Sequence, residues 1–409
     1  MSSTEPAKPF WQNSVFVLAL ATIIILLSYG SRQSFGMFML PVSVDLNWGR
    51  EVFSFAVAIQ NLIYGLAAPA IGAMADRWGP VRVLLMSAVL YCTGLFMMSQ
   101  SVTPEGMMLS VGLFTGVGAA GCALPMLLSI VGRTAPPEKQ SLYFGIVTSG
   151  GTAGQMLIIP LSQGLIANLG WVAAAGIMAV MVSLILPLTG IISSAAGDSL
   201  KKGTHESLTE VVMKAKGHSG FILLMIGFFV CGFQIQFIVA HMPAYLSTSE
   251  LGVSMASVSL ALIGFFNMLG TWTAGWAGGR YRKKNLLSLI YLSRSLVIMA
   301  FVLLPLTSIS VIVFSAMVGF LWLATVPLTS GIVVQIFGPR YLATLYGFVF
   351  LSHQLGSFAG VWMGGLIYDQ NQSYDTAWWA IVIAGVLAAL IHWPIKDDPL
   401  ESAAPAPAE

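Results

Sequence analysis

The sequence predicts an all-α integral membrane protein of twelve transmembrane helices, built as two six-helix halves with both chain ends in the cytoplasm. Three observations lead there: the composition, the number of long apolar runs, and an internal repeat. Of 409 residues, 57% are hydrophobic and 8% are charged, and the mean hydropathy is +0.85. A soluble domain carries roughly 25% charged residues, so 18 basic and 16 acidic side chains cannot cover a water-exposed surface of this length. That excludes a soluble enzyme, a nucleic-acid binder and a disordered scaffold. Cys92, Cys122 and Cys231 all fall within apolar runs, which reads as three small buried hydrophobes rather than a disulfide framework or a metal site.

A helix needs about 20 apolar residues to cross the hydrocarbon core. The run at 14–40 is too long for a signal-peptide core and has no convincing cleavage site, so it is the first span. Spans follow at 52–72, after the polar stretch 45–51, and at 81–100 and 107–132. Beyond the short connection 136–139 come 141–166 and 171–194. A long polar linker at 195–219 then separates the halves, carrying Lys201, Lys202, Glu206, Glu210, Lys214 and Lys216. The second half repeats the series at 220–246, 254–277, 285–304, 308–335, 341–368 and 376–395. The expected organisation is therefore an N-terminal half over 1–194, a cytoplasmic linker over 195–219, a C-terminal half over 220–396 and a short tail over 397–409.

Basic residues set the orientation. With both ends inside, cytoplasmic loops and tails hold 15 of the 18 basic residues, the outside loops hold only Arg50, and Arg32 and Arg294 lie within spans. The positive-inside rule then gives N-in, C-in topology. One offset of 202 residues pairs Pro41 with Pro243, Arg82 with Lys284, Pro125 with Pro327, Gly145 with Gly347 and Gly154 with Gly356. Duplicated halves explain a constant spacing. Parallel six-helix repeats suit a transporter whose halves rock around a midplane site.

The loop after the second span reads Gly72-Ala-Met-Ala-Asp76-Arg77-Trp-Gly79-Pro-Val-Arg82. It resembles the signature loop of the major facilitator superfamily, and the resemblance extends over essentially the whole chain. It implies the twelve-helix major facilitator fold and alternating access. Gly72 and Gly79 allow a tight turn and close helix approach. Asp76 can accept hydrogen bonds from helix-end amides of the other half, while Arg77 and Arg82 hold the cytoplasmic face. The counterpart, Gly275-Trp-Ala-Gly-Gly279-Arg280-Tyr-Arg282, keeps Arg280 but has Gly279 in place of the acid. Within the superfamily, Arg32-Gln-Ser-Phe-Gly36, His241-Met-Pro-Ala-Tyr245, Tyr291-Leu-Ser-Arg294 and His353-Gln-Leu-Gly-Ser357 resemble the bacterial monocarboxylate-porter-like branch, related to oxalate/formate antiporters. That branch implies transport of small organic anions, coupled to protons or to a counter-anion.

Charges inside the spans point the same way. Intramembrane ionisable residues are costly and functional by default. All 16 acidic residues fit in loops or tails, leaving Arg32 and Arg294 as embedded cations without a carboxylate partner. An embedded cation needs carbonyls, water or an anionic ligand, so the pattern favours an anion over a cationic drug. The planar fork of Arg32 suits a carboxylate; the alternative is a structural arginine that snorkels or binds helix-end carbonyls. Arg294 is read either as a coupling residue or as a buried structural arginine with backbone partners. The repeat partner of Arg32 is Gln234, which shares a face with His241 and Tyr245. His241 and His353 can each hold a proton near neutral pH, or be neutral and satisfied by a hydroxyl or carbonyl.

Polar stripes at helical spacing complete the expected cavity: Gln60, Asn61 and Tyr64; Thr148, Thr152 and Gln155; Asn267 and Thr271; Trp322, Thr325 and Thr329. The expected substrate contacts are Arg32, Tyr64, Gln234, His241, Asn267 and His353. Expected function is secondary active transport of a small organic anion, most of all a monocarboxylate, probed against two rivals: efflux of an amphipathic compound and a non-transporting membrane sensor. The reading includes no catalytic constellation, no cofactor and no metal, and places the chain as a monomer in the cytoplasmic membrane.

Overall fold

Long apolar runs become long helices. The computed structural model describes residues 14–134, 140–196, 213, 215–337 and 342–398; most of the expected linker and tail, with Lys139, lie outside them. The helices are α1 (Ser14–Gln33), α2 (Phe35–Asp45), α3 (Arg50–Trp78), α4 (Pro80–Gln100), α5 (Pro104–Met107), a π-helical segment (Met108–Phe114), α6 (Thr115–Gly121) and α7 (Leu124–Thr134). They continue as α8 (Gln140–Ser183), α9 (Ile185–Ala196), α10 (Ser219–Ser247), α11 (Gly252–Gly278), α12 (Lys283–Leu303), α13 (Ser308–Phe320), α14 (Thr325–Phe337), α15 (Leu342–Asn371) and α16 (Asp375–His392). No strand occurs among the described residues.

Among the described residues, ten segments are long and apolar enough to cross a membrane. One of them, Gly145–Ile192, runs 48 residues, about 72 Å at 1.5 Å per residue and more than twice the hydrocarbon thickness. It contains a turn at Gly170, where φ is 79°; a side chain there is strained. The 30-residue α15 is not among the ten, and the polar pair His353 and Gln354 lies along it. Lipid-facing positions such as Trp272, Ile309 and Val180 are exposed and apolar.

The 202-residue repeat reappears in the packing. α1 lies along α8, and α10 along α15. A Cβ on Gly30 would sit 2.6 Å from the Gly154 carbonyl oxygen, and one on Gly154 would collide with the Leu26 carbonyl. Their repeat partners do the same: Gly232 abuts the His353 carbonyl, and Gly356 the Phe229 carbonyl. The fourth expected span is interrupted between α6 and α7, and the tenth between α13 and α14, where the sequence predicts one continuous helix each. The halves meet through α3 with α15, α8 with α11 and α2 with α10.

Toward the face where α1 starts and α16 ends, a Cβ on Gly72, Gly145, Gly275 or Gly347 would meet nothing within 4 Å, as would one on Gly170 or Gly252 toward the other. Toward the opposite face the halves are bonded together, through residues at the start of α3 and the end of α15.

Candidate functional site

Arg32 lies in the last turn of α1, two residues before the interruption at Ser34. Its Nη2 donates to Asn61 Oδ1 at 2.5 Å, and its guanidinium carbon stands 4.4 Å over the Tyr64 ring. Asn61 and Tyr64 are three residues apart and so share one face of α3. Asn61 Nδ2 donates to the Val57 carbonyl at 2.9 Å, which aims its oxygen at the arginine. The buried Arg32 Nε has no acceptor. Across the interface Phe350 lies 5.9 Å from the Tyr64 ring and stacks on His353 at 5.8 Å. His353 Nδ1 faces Ser357 Oγ at 3.4 Å. Tyr64, beside Arg32, and His353 thus flank the Phe350 ring.

Arg294 is wholly buried, and its two terminal nitrogens meet acceptors while its Nε, like that of Arg32, meets none. Its Nη2 donates to the carbonyls of Leu321 at 2.5 Å and Trp322 at 2.8 Å. Its Nη1 faces Gln234 Oε1 at 3.3 Å and Cys231 Sγ at 3.7 Å. Those carbonyls lie at the C-terminal end of α13, where a cation complements the helix dipole. From the other side, Asn267 Oδ1 accepts the Leu323 N–H at 3.1 Å. Arg294 and Asn267 together therefore hold the α13–α14 break. Gln234 completes its own set by donating to the Ile381 carbonyl at 2.8 Å. Gln234 and Asn267 are thereby committed within the second half rather than to Arg32.

His241 is also buried. Its Nε2 donates to the Val361 carbonyl at 2.7 Å; a carbonyl can only accept, so the neutral ring presents Nδ1 as an acceptor. The Tyr374 hydroxyl donates to that Nδ1 at 3.2 Å and accepts from Arg50 Nη1 at 3.1 Å. Around it, Asp369 Oδ1 accepts the Arg50 N–H at 3.0 Å and Oδ2 the Glu51 N–H at 2.8 Å. Trp362 Nε1 donates to Glu51 Oε1 at 3.1 Å, and Arg50 stacks 3.6 Å over Tyr368. Sequence reasoning missed this cluster. Its signal was α3 itself, which starts after Gly49 with no side-chain cap, so its amides needed an acceptor from elsewhere.

Of the expected gating residues, Gly79 closes α3 with φ 90°, and Pro80 starts α4, a left-handed Gly followed by an N1 proline. Gly72 and Arg82 are exposed. Arg280 stacks 4.0 Å over Trp276. The side chains of Asp76 and Arg77 lie outside the described set.

A cavity of about 290 Å³ lies among α2, α8 and α10, with Val253 of α11, and one of about 480 Å³ opens between α8 and α11; the two share Gln163. Their linings, such as Met37, Ile166, Leu262 and Phe265, are mainly apolar, and none of the expected substrate contacts lines either.

A helical bundle with this packing has buried arginines within its apolar spans, and comparison gives the family. The profile of the Major Facilitator Superfamily matches residues 21–361. The chain belongs to that superfamily; it is an integral multi-pass protein of the cytoplasmic (plasma) membrane and a transporter, not an enzyme. It is 24% identical to an uncharacterized transporter of this type, YcxA, from Bacillus subtilis, over 88% of this chain and 89% of that one. It is 22% identical to monocarboxylate transporter 13 of Rattus norvegicus (95% and 91% covered). It is also 22% identical to the oxalate:formate antiporter of Oxalobacter formigenes (92% and 90%). Among solved structures, a bacterial homolog of the human lysosomal transporter Spinster, inward-facing and occupied, aligns with TM-score 0.78 and 16% identity over 95% of this chain and 97% of that one.

Proposed function

We propose that this transporter moves a small organic anion, most of all a monocarboxylate, by proton-coupled alternating access, with Arg32 binding the carboxylate. One observation carries the reading: of two buried intramembrane arginines, Arg294 faces four acceptors, whereas Arg32 has a single one, Asn61. A guanidinium has five N–H donors, and an incoming carboxylate is the natural partner for those Arg32 leaves open. Tyr64, under the guanidinium, and His353, beyond the Phe350 ring, would orient the anion. The names of the monocarboxylate and oxalate:formate relatives support the substrate class.

In this reading the chain crosses the membrane twelve times, with Gly170 dividing one long run and α15 forming a further span. Residues 1–194 and 220–396 are the rocking halves, and both ends are cytoplasmic. The open face is then the inner one, where Asp76, Arg77, Arg82 and Arg280 would latch after the halves rock over. The test is uptake of labelled monocarboxylates into proteoliposomes, with and without an inward proton gradient. Gradient-stimulated uptake is expected in wild type and not in Arg32→Gln. Undiminished uptake by the variant would overturn the assignment.

A further inference from the structure

The cluster at the closed face has the construction of a latch. A carboxylate from one half, Asp369, caps two backbone amides at the start of α3 in the other half. Carboxylates at helix N-termini gain from both the free N–H groups and the helix dipole. The fit is close: a Cβ on Gly49 would meet Asp369 Oδ2, so a larger residue before α3 would displace the carboxylate. Beside this cap runs a directional chain in which Arg50 Nη1 donates to Tyr374, Tyr374 donates to His241 Nδ1, and His241 Nε2 donates to Val361. Of these, the Tyr374–His241 hydrogen bond needs an unprotonated Nδ1.

We infer that this inter-half cluster is the latch on the face opposite the chain ends, and that proton uptake at His241 Nδ1 releases it. A proton on Nδ1 turns that atom from acceptor into donor. Tyr374 oxygen then faces two donors, the imidazolium and Arg50, and its own hydroxyl hydrogen loses its acceptor. Two cations sharing one phenol oxygen repel, and Arg50, which carries the first amide that Asp369 caps, is the one free to move with α3.

The surroundings offer His241 no compensating acid in contact. α3 contributes Arg50 and Glu51, with Glu51 held by Trp362. α15 contributes Tyr368 and Asp369, the latter engaged on the α3 amides. α16 brings Asp375, with Tyr374 at its cap. The ring neighbours on α10 are Phe237 and, through Tyr374, Tyr245. Asp45 of α2 accepts from Trp171 at 2.7 Å, and α11 and α14 carry no titratable side chain.

The inference rests on alternating access, but its readout needs no transported anion. In purified full-length protein with Cys92→Ser, spin labels at Val102→Cys and Asn371→Cys would report the distance across the closed face. From about pH 8 to about pH 4, a range that spans imidazole titration, a short-distance population should give way to a longer one. His241→Gln should abolish that response. Asp369→Asn should enrich the long distance at every pH. Tyr374→Phe keeps the ring but removes the relay, and should flatten the response even if the His241 variant fails to fold. A wild-type distribution unchanged by pH, or a full response in His241→Gln, overturns the latch. Loss of anion binding with the distance response intact would instead count against the substrate assignment alone.

Discussion

Two arginines of identical chemistry have opposite environments in this protein. Arg294 ties down the carbonyls of Leu321 and Trp322, whereas Arg32 meets one amide oxygen and an aromatic face. Removing Arg294 leaves two buried carbonyls unsatisfied, so Arg294→Gln should lower stability by on the order of 3 kcal/mol, read as a reduced unfolding midpoint in detergent. An unchanged midpoint would mean that the α13–α14 break holds without it. Arg32→Gln should leave that midpoint near wild type. Both arginines stand out in the sequence because charge inside an apolar run is rare. Their division of labour does not, since it depends on where a helix far along the chain is interrupted. The same holds for Asn267 and Gln234. Helical periodicity shows which residues share a face, but not that the facing partner is Leu323 N–H or Arg294.

Helices here pack where glycine lets backbones touch. Gly154 lies against the Leu26 carbonyl, while Gly145, nine residues earlier on α8, faces open space. Gly154→Leu should therefore cost roughly 1–3 kcal/mol through overpacking. Gly145→Ala should be neutral or stabilising by about 0.5–1 kcal/mol, and thermal denaturation of the pair checks both signs. Comparable losses in both would contradict the packing. The start of α10 gives a pH prediction. His218 Nδ1 accepts the Phe221 N–H at 3.3 Å, and burial, with Lys396 nearby, pushes its pKa below the ordinary imidazole value. The folded state thus disfavours the proton. Its contribution is complete above the unfolded value of about 6.5 and is lost as pH falls through the lowered folded value. Melting temperature should drop over that window in wild type, with a smaller drop in His218→Asn, whose side chain caps without titrating. Helix existence was legible from hydropathy. The break after Phe320 was not, because Gly and Pro are common within membrane helices and mark no single interruption.

At the scale of the whole molecule, the repeat was readable from five residue pairs, and the structure gives it physical content through Gly30 with Gly154 and Gly232 with Gly356. The conformational state was not readable. Which face is closed depends on contacts between residues 318 and 319 positions apart, Glu51 and Arg50 with Asp369, and no local pattern encodes them. In the proposed mechanism the anion completes the hydrogen bonding of Arg32 before the halves rock. Equilibrium binding of a labelled monocarboxylate to purified wild-type protein and to Arg32→Gln, both shown to be folded, tests that claim most directly. The account predicts saturable binding in wild type and a loss of at least about tenfold in the variant, the equivalent of about 1.4 kcal/mol. Equal affinity in the two proteins would contradict it.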